Sequence, residues 1–119
     1  MKTEEIISLD NQTTIPSLFR FRAQTLKNKV AMREKHLGIW RAFSWDQYYS
    51  NSARLGKAMM MLGMESGQTV SILADPCKEW LFFDLAAQCI GCVSCGIYAT
   101  DSPPQVLHIC KDSDTTLLM

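Results

Sequence analysis

Thr69-Val70-Ser71-Ile72-Leu73-Ala74 is a short apolar run, and Asp75-Pro76 closes it. Cys77 to Ile90 is continuously helix-compatible and stops at Gly91, Cys92-Val93-Ser94-Cys95 is too short for a helix and is closed by Gly96, and Pro103 to Lys111 is helical again. Thr115-Thr116-Leu117-Leu118-Met119 is a last β-rich run. Strands separated by helical stretches of ten to fifteen residues call for right-handed crossovers and a parallel sheet, so the second half of the chain predicts a βαβαβ unit. Its second helix has a clear start: Ser102, proline at the first helical position and Gln105 three residues after the serine make a capping box.

Upstream, Thr14 is placed to cap a helix beginning at Ile15-Pro16, with Leu18, Phe19, Ala23 and Leu26 at helical spacing and Asn28-Lys29 as its end. Val30 to Lys35 and Ile39 to Ser44 flank His36-Leu37-Gly38, which predicts a hairpin with a short glycine-containing connection. Alternation puts Ile39, Arg41 and Phe43 on one face of it and Trp40 and Ala42 on the other. Ser44 and Gln47 form a second capping box, opening a helix from Trp45 to Leu62 with Gly63 just past its end. Tyr48, Ser52, Leu55, Met59 and Leu62 follow its apolar stripe, and of Met59-Met60-Met61 only one or two can face a core. The expected class is therefore α/β: an extended lead-in over 1–13, then an N-terminal helix and hairpin followed by the parallel unit, over 14–119.

The chain has 119 residues with 47% hydrophobic content, enough for one small domain. Formal net charge is zero, but residues 1–60 hold ten Lys/Arg against five Asp/Glu, and residues 61–119 hold two against seven. A basic front and an acidic back suit internal complementarity. The basic residues are scattered over several elements rather than gathered in a stripe, so no nucleic-acid partner is expected. The first residues carry Glu4, Glu5 and Asp10 among their apolar positions, unlike a signal peptide, and no run approaches the eighteen or so apolar residues that cross a bilayer. Five cysteines, an odd number, read as free thiols in a reducing compartment. The expected location is cytoplasmic or peripheral to a membrane, with any membrane contact made by a region outside this chain.

Chemistry is sparse. Cys89-x-x-Cys92-x-x-Cys95 has the spacing of a metal site, but it runs across a helix end and a buried strand, where cysteine serves as a small apolar residue. His108 and Cys110, two apart on a helix, share no face. Asp75 and Glu79 sit at a helix start, where negative charge suits the exposed N–H groups, and with Asp84 they make no recognisable acid–base pair. His36 beside a glycine turn reads as a solvated residue. No phosphate-binding glycine loop, nucleophile elbow or zinc helix motif is present. No catalytic, cofactor-binding or metal residue is assigned.

Leu73-Ala74-Asp75-Pro76-Cys77-Lys78-Glu79-Trp80-Leu81-Phe82-Phe83-Asp84-Leu85-Ala86 followed by Gly91 to Pro103, together with Phe43-Ser44-Trp45-Asp46-Gln47-Tyr48-Tyr49, resembles the N-terminal region of AMP-forming acyl-CoA synthetases. These are the long-chain fatty-acid CoA ligases of the adenylate-forming family, and the upstream block is nearest their bubblegum-type branch. The resemblance runs in order from about Thr14 to Met119. It implies an enzyme that activates a fatty acid with ATP and Mg²⁺ to an acyl-adenylate, then transfers the acyl group to coenzyme A. It also implies that the phosphate loop, the adenosine-binding aspartate and the catalytic lysine lie beyond this stretch, in the missing remainder of the ligase domain. The 119 residues alone are then catalytically incomplete and hold no cofactor. Glu79-Trp80 and Gly96-Ile97-Tyr98 correspond to signature positions of the family scaffold, where Trp80 would anchor its helix on the sheet and Gly96 would permit close backbone approach. Cys77 departs from it, standing where a polar residue is usual. The alternative is a non-catalytic protein acting as a binding or scaffold module through an open sheet edge or an uncovered apolar face.

Overall fold

The computed structural model describes residues 13–119, in the order α1 (Ile15–Thr25), β1 (Val30–His36), β2 (Ile39–Ser44), α2 (Trp45–Met61), β3 (Thr69–Leu73), α3 (Lys78–Cys89), β4 (Val93–Ile97), α4 (Pro103–Asp112) and β5 (Thr115–Leu118). The lead-in expected over 1–13 lies, but for Thr13, outside the described residues.

Helix starts follow the capping residues. Ser44 Oγ accepts the Gln47 backbone N–H at 3.1 Å while Gln47 Oε1 accepts that of Ser44 at 2.9 Å, and Gln105 Oε1 takes the Ser102 N–H at 2.8 Å. Each closes orphan donors of a first turn. Thr14 caps α1 in the same way, with Ser17 as its partner. α1 ends earlier than expected, at Thr25 with Leu26 as its C-cap.

The hairpin differs at its turn. His36 belongs to β1 and pairs with Ile39, which leaves a two-residue connection rather than three. Leu37 (φ 49°) and Gly38 (φ 79°) are both left-handed, the pattern of a type I′ turn. Glycine adopts that conformation freely, whereas Leu37 holds it at a cost on the order of 1 kcal/mol. Phe43 faces Met32 and Arg41 faces Glu34, with Trp40 opposite Lys35 and Ala42 opposite Arg33, the division of faces that the alternation predicts.

β3 is the centre of a parallel sheet ordered β4-β3-β5. The chain steps from β3 to one neighbour and then across to the other, and right-handed crossovers in opposite directions put α3 and α4 on opposite faces. Packing agrees. On the α3 side, Met59, Met64, Val70, Ala86, Ala87 and Cys92 form one buried cluster. α2 comes close to α3 at Gly56, where an added Cβ would lie 3.1 Å from Ile90 Cγ2 and 3.4 Å from the Ala86 carbonyl oxygen. A second layer ties α1 on: the Phe19 ring lies 4.6 Å from that of Tyr48 and 5.4 Å from that of Tyr49, and Tyr48 lies 5.7 Å from Phe82. Of the three consecutive methionines only Met59 is buried. Leu62, expected on the same stripe, is exposed and stands just past the last helical residue, as the C-cap of α2.

On the α4 side, Ser71 Oγ meets Thr115 Oγ1 at 2.6 Å, and Thr115 meets Ser113 at 2.8 Å. Ser113 in turn donates to the Ile109 carbonyl at 2.8 Å, so a chain of hydroxyls joins the middle strand to the end of α4. No residue of α4 is buried, and an open groove of about 580 Å³ separates it from Leu73 and Leu118.

β4 is longer than expected. It runs through Gly96 to Ile97, paired with β3 from Thr69–Val93 to Leu73–Ile97. Gly96 reads as a terminator in the sequence, but here it is an interior strand position whose bare Cα accommodates an aromatic ring.

Candidate functional site

Parallel strands leave a crevice beyond their carboxyl ends, where ligands of open α/β sheets gather. β3 and β4 end level, Leu73 beside Ile97. The first turns of α3 close one side of the crevice and β1 closes another, giving an open cavity of about 930 Å³. Its apolar wall includes Met32, Leu81, Ile97 and Tyr98 around Trp80. Trp80 is seated by Gly96: a Cβ on that glycine would lie 3.1 Å from Trp80 Cζ2. The expected anchoring of Trp80 on the sheet is met, but what approaches Gly96 is that ring and not the backbone expected there.

Lys78 is the charged centre. Its Nζ donates to Glu34 Oε2 at 2.8 Å and to Glu79 Oε1 at 2.7 Å, and stands 5.6 Å from the centroid of the Phe43 ring. The hydrogen bond from Lys78 holds the carboxyl of Glu34 below its ordinary range, and does the same for Glu79. Accepting partners on both sides, led by Glu34, raise the lysine in return. This arrangement fastens the hairpin to the start of α3. Both carboxylates are engaged, so neither is poised as a general base.

The other sequence candidates are scattered. The N-cap of α3 is Cys77, whose side chain makes no capping bond, and α3 begins at Lys78, one residue later than expected. Asp75 lies exposed two residues before that cap, while Glu79 does sit in the first turn. Asp84 accepts from Gln88 Nε2 at 3.0 Å within α3. Cys92 is buried in the core and donates to the Glu65 carbonyl at 3.2 Å, and burial pushes its thiol up, away from the thiolate; Cys89 is an exposed residue overall, but partial desolvation moves its thiol the same way. His36 and His108 are exposed and Cys110 is half-buried. Among the described residues no three His, Cys, Asp or Glu side chains converge to hold a metal ion.

A magnesium-bound nucleotide needs free carboxylate oxygens and a cradle of backbone N–H groups. The cavity does not fit it: one oxygen each of Glu34 and Glu79 is taken by Lys78, whose cation repels a metal ion beside them, and Glu79 occupies the helix start where an anion would sit. The Glu34–Lys78 pair escaped sequence reading because its members stand 44 positions apart with no local pattern joining them.

Comparison with known proteins adds what the cavity lacks. The family described as AMP-binding enzyme matches residues 19–119. The long-chain-fatty-acid–CoA ligase ACSBG1 of Bos taurus is 30% identical over 106 residues, covering 89% of this chain and 15% of its own length. The chain thus spans about 15% of that curated relative. Among solved structures, the fatty acid AMP ligase of Legionella pneumophila superposes with a TM-score of 0.83 at 18% identity, covering 93% of this chain and 21% of that one. The N-terminal subdomain of Klebsiella oxytoca NpsA gives 0.80 at 17% identity, covering 88% and 26%. At such identities these two establish the fold.

Proposed function

The chain belongs to the AMP-binding enzyme family, and from that premise we propose that it is the N-terminal sheet portion of a long-chain fatty-acid CoA ligase. Such a ligase activates a fatty acid through an acyl-adenylate with ATP and Mg²⁺, then passes it to coenzyme A. The observation that carries this reading is the collinear 30% identity to a long-chain-fatty-acid–CoA ligase across 89% of the chain. The engaged carboxylates around Lys78 support the corollary that these 119 residues scaffold the reaction without performing it. Their part is to hold the crevice walls: the hairpin is pinned to α3 by Lys78, and Trp80 is pinned to the sheet by Gly96.

An antibody against this chain tests the reading. The protein it precipitates from source cells is expected to release AMP in a manner dependent on fatty acid, ATP and coenzyme A, and the purified 119-residue chain is expected to release none. Acyl-CoA formation by the purified chain would overturn its incompleteness. A precipitate with no ligase activity, containing only a species near 13.5 kDa, would favour the second reading. That reading, a non-catalytic binding or scaffold module, is supported by the uncovered groove between α4 and β5.

A further inference from the structure

The hairpin carries at its free end three apolar side chains that neither the cavity nor the core uses, beside two cations, Arg33 and Lys35, that also border the cavity. Leu37 is 87% exposed at its apex, Ile39 is 66% and Trp40 is 64%. All three are consecutive or nearly so at the free end, away from the Met32–Phe43 end that packs beside α3. Around them stand exposed Arg33, Lys35 and Arg41, with Lys27 and Lys29 exposed just upstream. Glu34, the one acidic residue of the hairpin, is neutralised by Lys78. The outer face pairs Trp40 with Lys35 and Ala42 with Arg33, so an amphipathic aromatic ring sits directly beside a cation.

The apex residue adds an independent observation. Type I′ turns favour Asn, Asp or Gly at both central positions. A leucine held there in the left-handed region is a locally disfavoured choice that also places an apolar side chain in water. An asparagine would lower both penalties in the isolated protein, and both point to an apolar surface that the leucine meets.

We infer that the tip of this hairpin, Leu37, Ile39 and Trp40 ringed by Lys35, Arg33 and Arg41, is a contact for the surface of an anionic lipid bilayer. Shape and charge select that occupant. The tip is convex and narrow, presenting on the order of 400 Å², well under the ~800 Å² per partner of a stable protein interface. A fluid acyl layer receives such a tip without a matching groove, tryptophan favours the headgroup level, and the surrounding cations meet anionic headgroups. The inference stands on the hairpin alone and goes beyond the ligase reading, since it needs neither ATP nor acyl transfer.

The test is flotation of the full 119-residue chain with phosphatidylcholine vesicles, with and without phosphatidylserine, following tryptophan emission and using Trp40→Phe to isolate the Trp40 signal. Expected are binding to the phosphatidylserine vesicles at physiological salt, a blue shift that Trp40→Phe abolishes, and binding about fivefold weaker in Lys35→Gln or Arg41→Gln. Leu37→Asn suits the turn better than the native residue, so its folding is secure, yet it should weaken binding about tenfold. Absence of binding, binding at low salt alone without the Trp40 shift, or full binding by Leu37→Asn would each overturn the inference. Self-association abolished by Leu37→Asn, without vesicle binding, would overturn it in favour of a contact between copies. Ligase activity plays no part in the readout, so either reading can fail while the other survives.

Discussion

The two faces of the parallel sheet are made by the same three strands and packed to different degrees. Under α2 and α3 the sheet meets a continuous layer of Met59, Val70, Ala86, Ala87 and Cys92. Under α4 it meets a row of hydroxyls and an open groove, and α4 buries none of its residues. A strand's alternation makes this possible: Val70 serves one face while Ser71 and Leu73 serve the other. Tight packing and helix propensity are therefore separable here, since α4 has a good cap and a proline start yet little to lean on.

The sharpest break of this contrast is Met59→Ala. It removes a side chain 2% exposed in the packed layer and should lower stability by about 3 kcal/mol, read as a shift in the urea midpoint. Amide exchange tests the same contrast without mutation. Val70, paired with Ser94 of β4 and with Leu117 of β5, should exchange at least about a hundredfold more slowly than the amides of α4; equal rates would mean that the two faces unfold as one. Gly96→Ala is expected to cost about 1–2 kcal/mol, because the Trp80 ring 3.1 Å from the new Cβ is rigid and must shift. A base titration gives the next effect. Burial raises the Tyr48 phenol from its usual value near 10 to about 12. The folded state then holds that proton more tightly than the unfolded state, so stability is complete below pH ~10 and falls as pH rises toward ~12. Half-exposure of the ring reduces the loss to about 1 kcal/mol, and Tyr48→Phe should remove this part of the pH dependence. Smallest is Leu107→Ala on α4, where a side chain already 55% exposed should change stability by less than about 0.5 kcal/mol. A cost approaching that of Met59→Ala would erase the contrast.

Local chemistry made the helix starts legible. Ser44 with Gln47 and Ser102 with Gln105 are short-range devices, and both form as their spacing requires. The type and order of the elements in the βαβαβ unit follow from similar local signals. What could not be read is whatever depends on distant partners. Gly96 looks like a strand terminator until Trp80, sixteen residues earlier, is placed against it. Leu62 obeys the helical stripe of α2 but is left exposed past the helix end, and His36 looks like a turn residue until its pairing with Ile39 is known. The cavity was illegible for the same reason, since its ion pair joins the hairpin to a helix more than forty residues away.

The strand order β4-β3-β5 also fixes an order of events during synthesis. The central strand is made before either neighbour, and about 46 residues separate Thr69 from Thr115. At ~5–20 residues per second, a strand of Thr69–Leu73 waits roughly 2–9 s for its second partner. Its exposed ladder is then open to pairing with other nascent chains. α2 is already complete at that moment, and Met59 is available to cover Val70 from one side. The helix that anchors the finished core is thus also the first shelter of its most vulnerable strand on the ribosome.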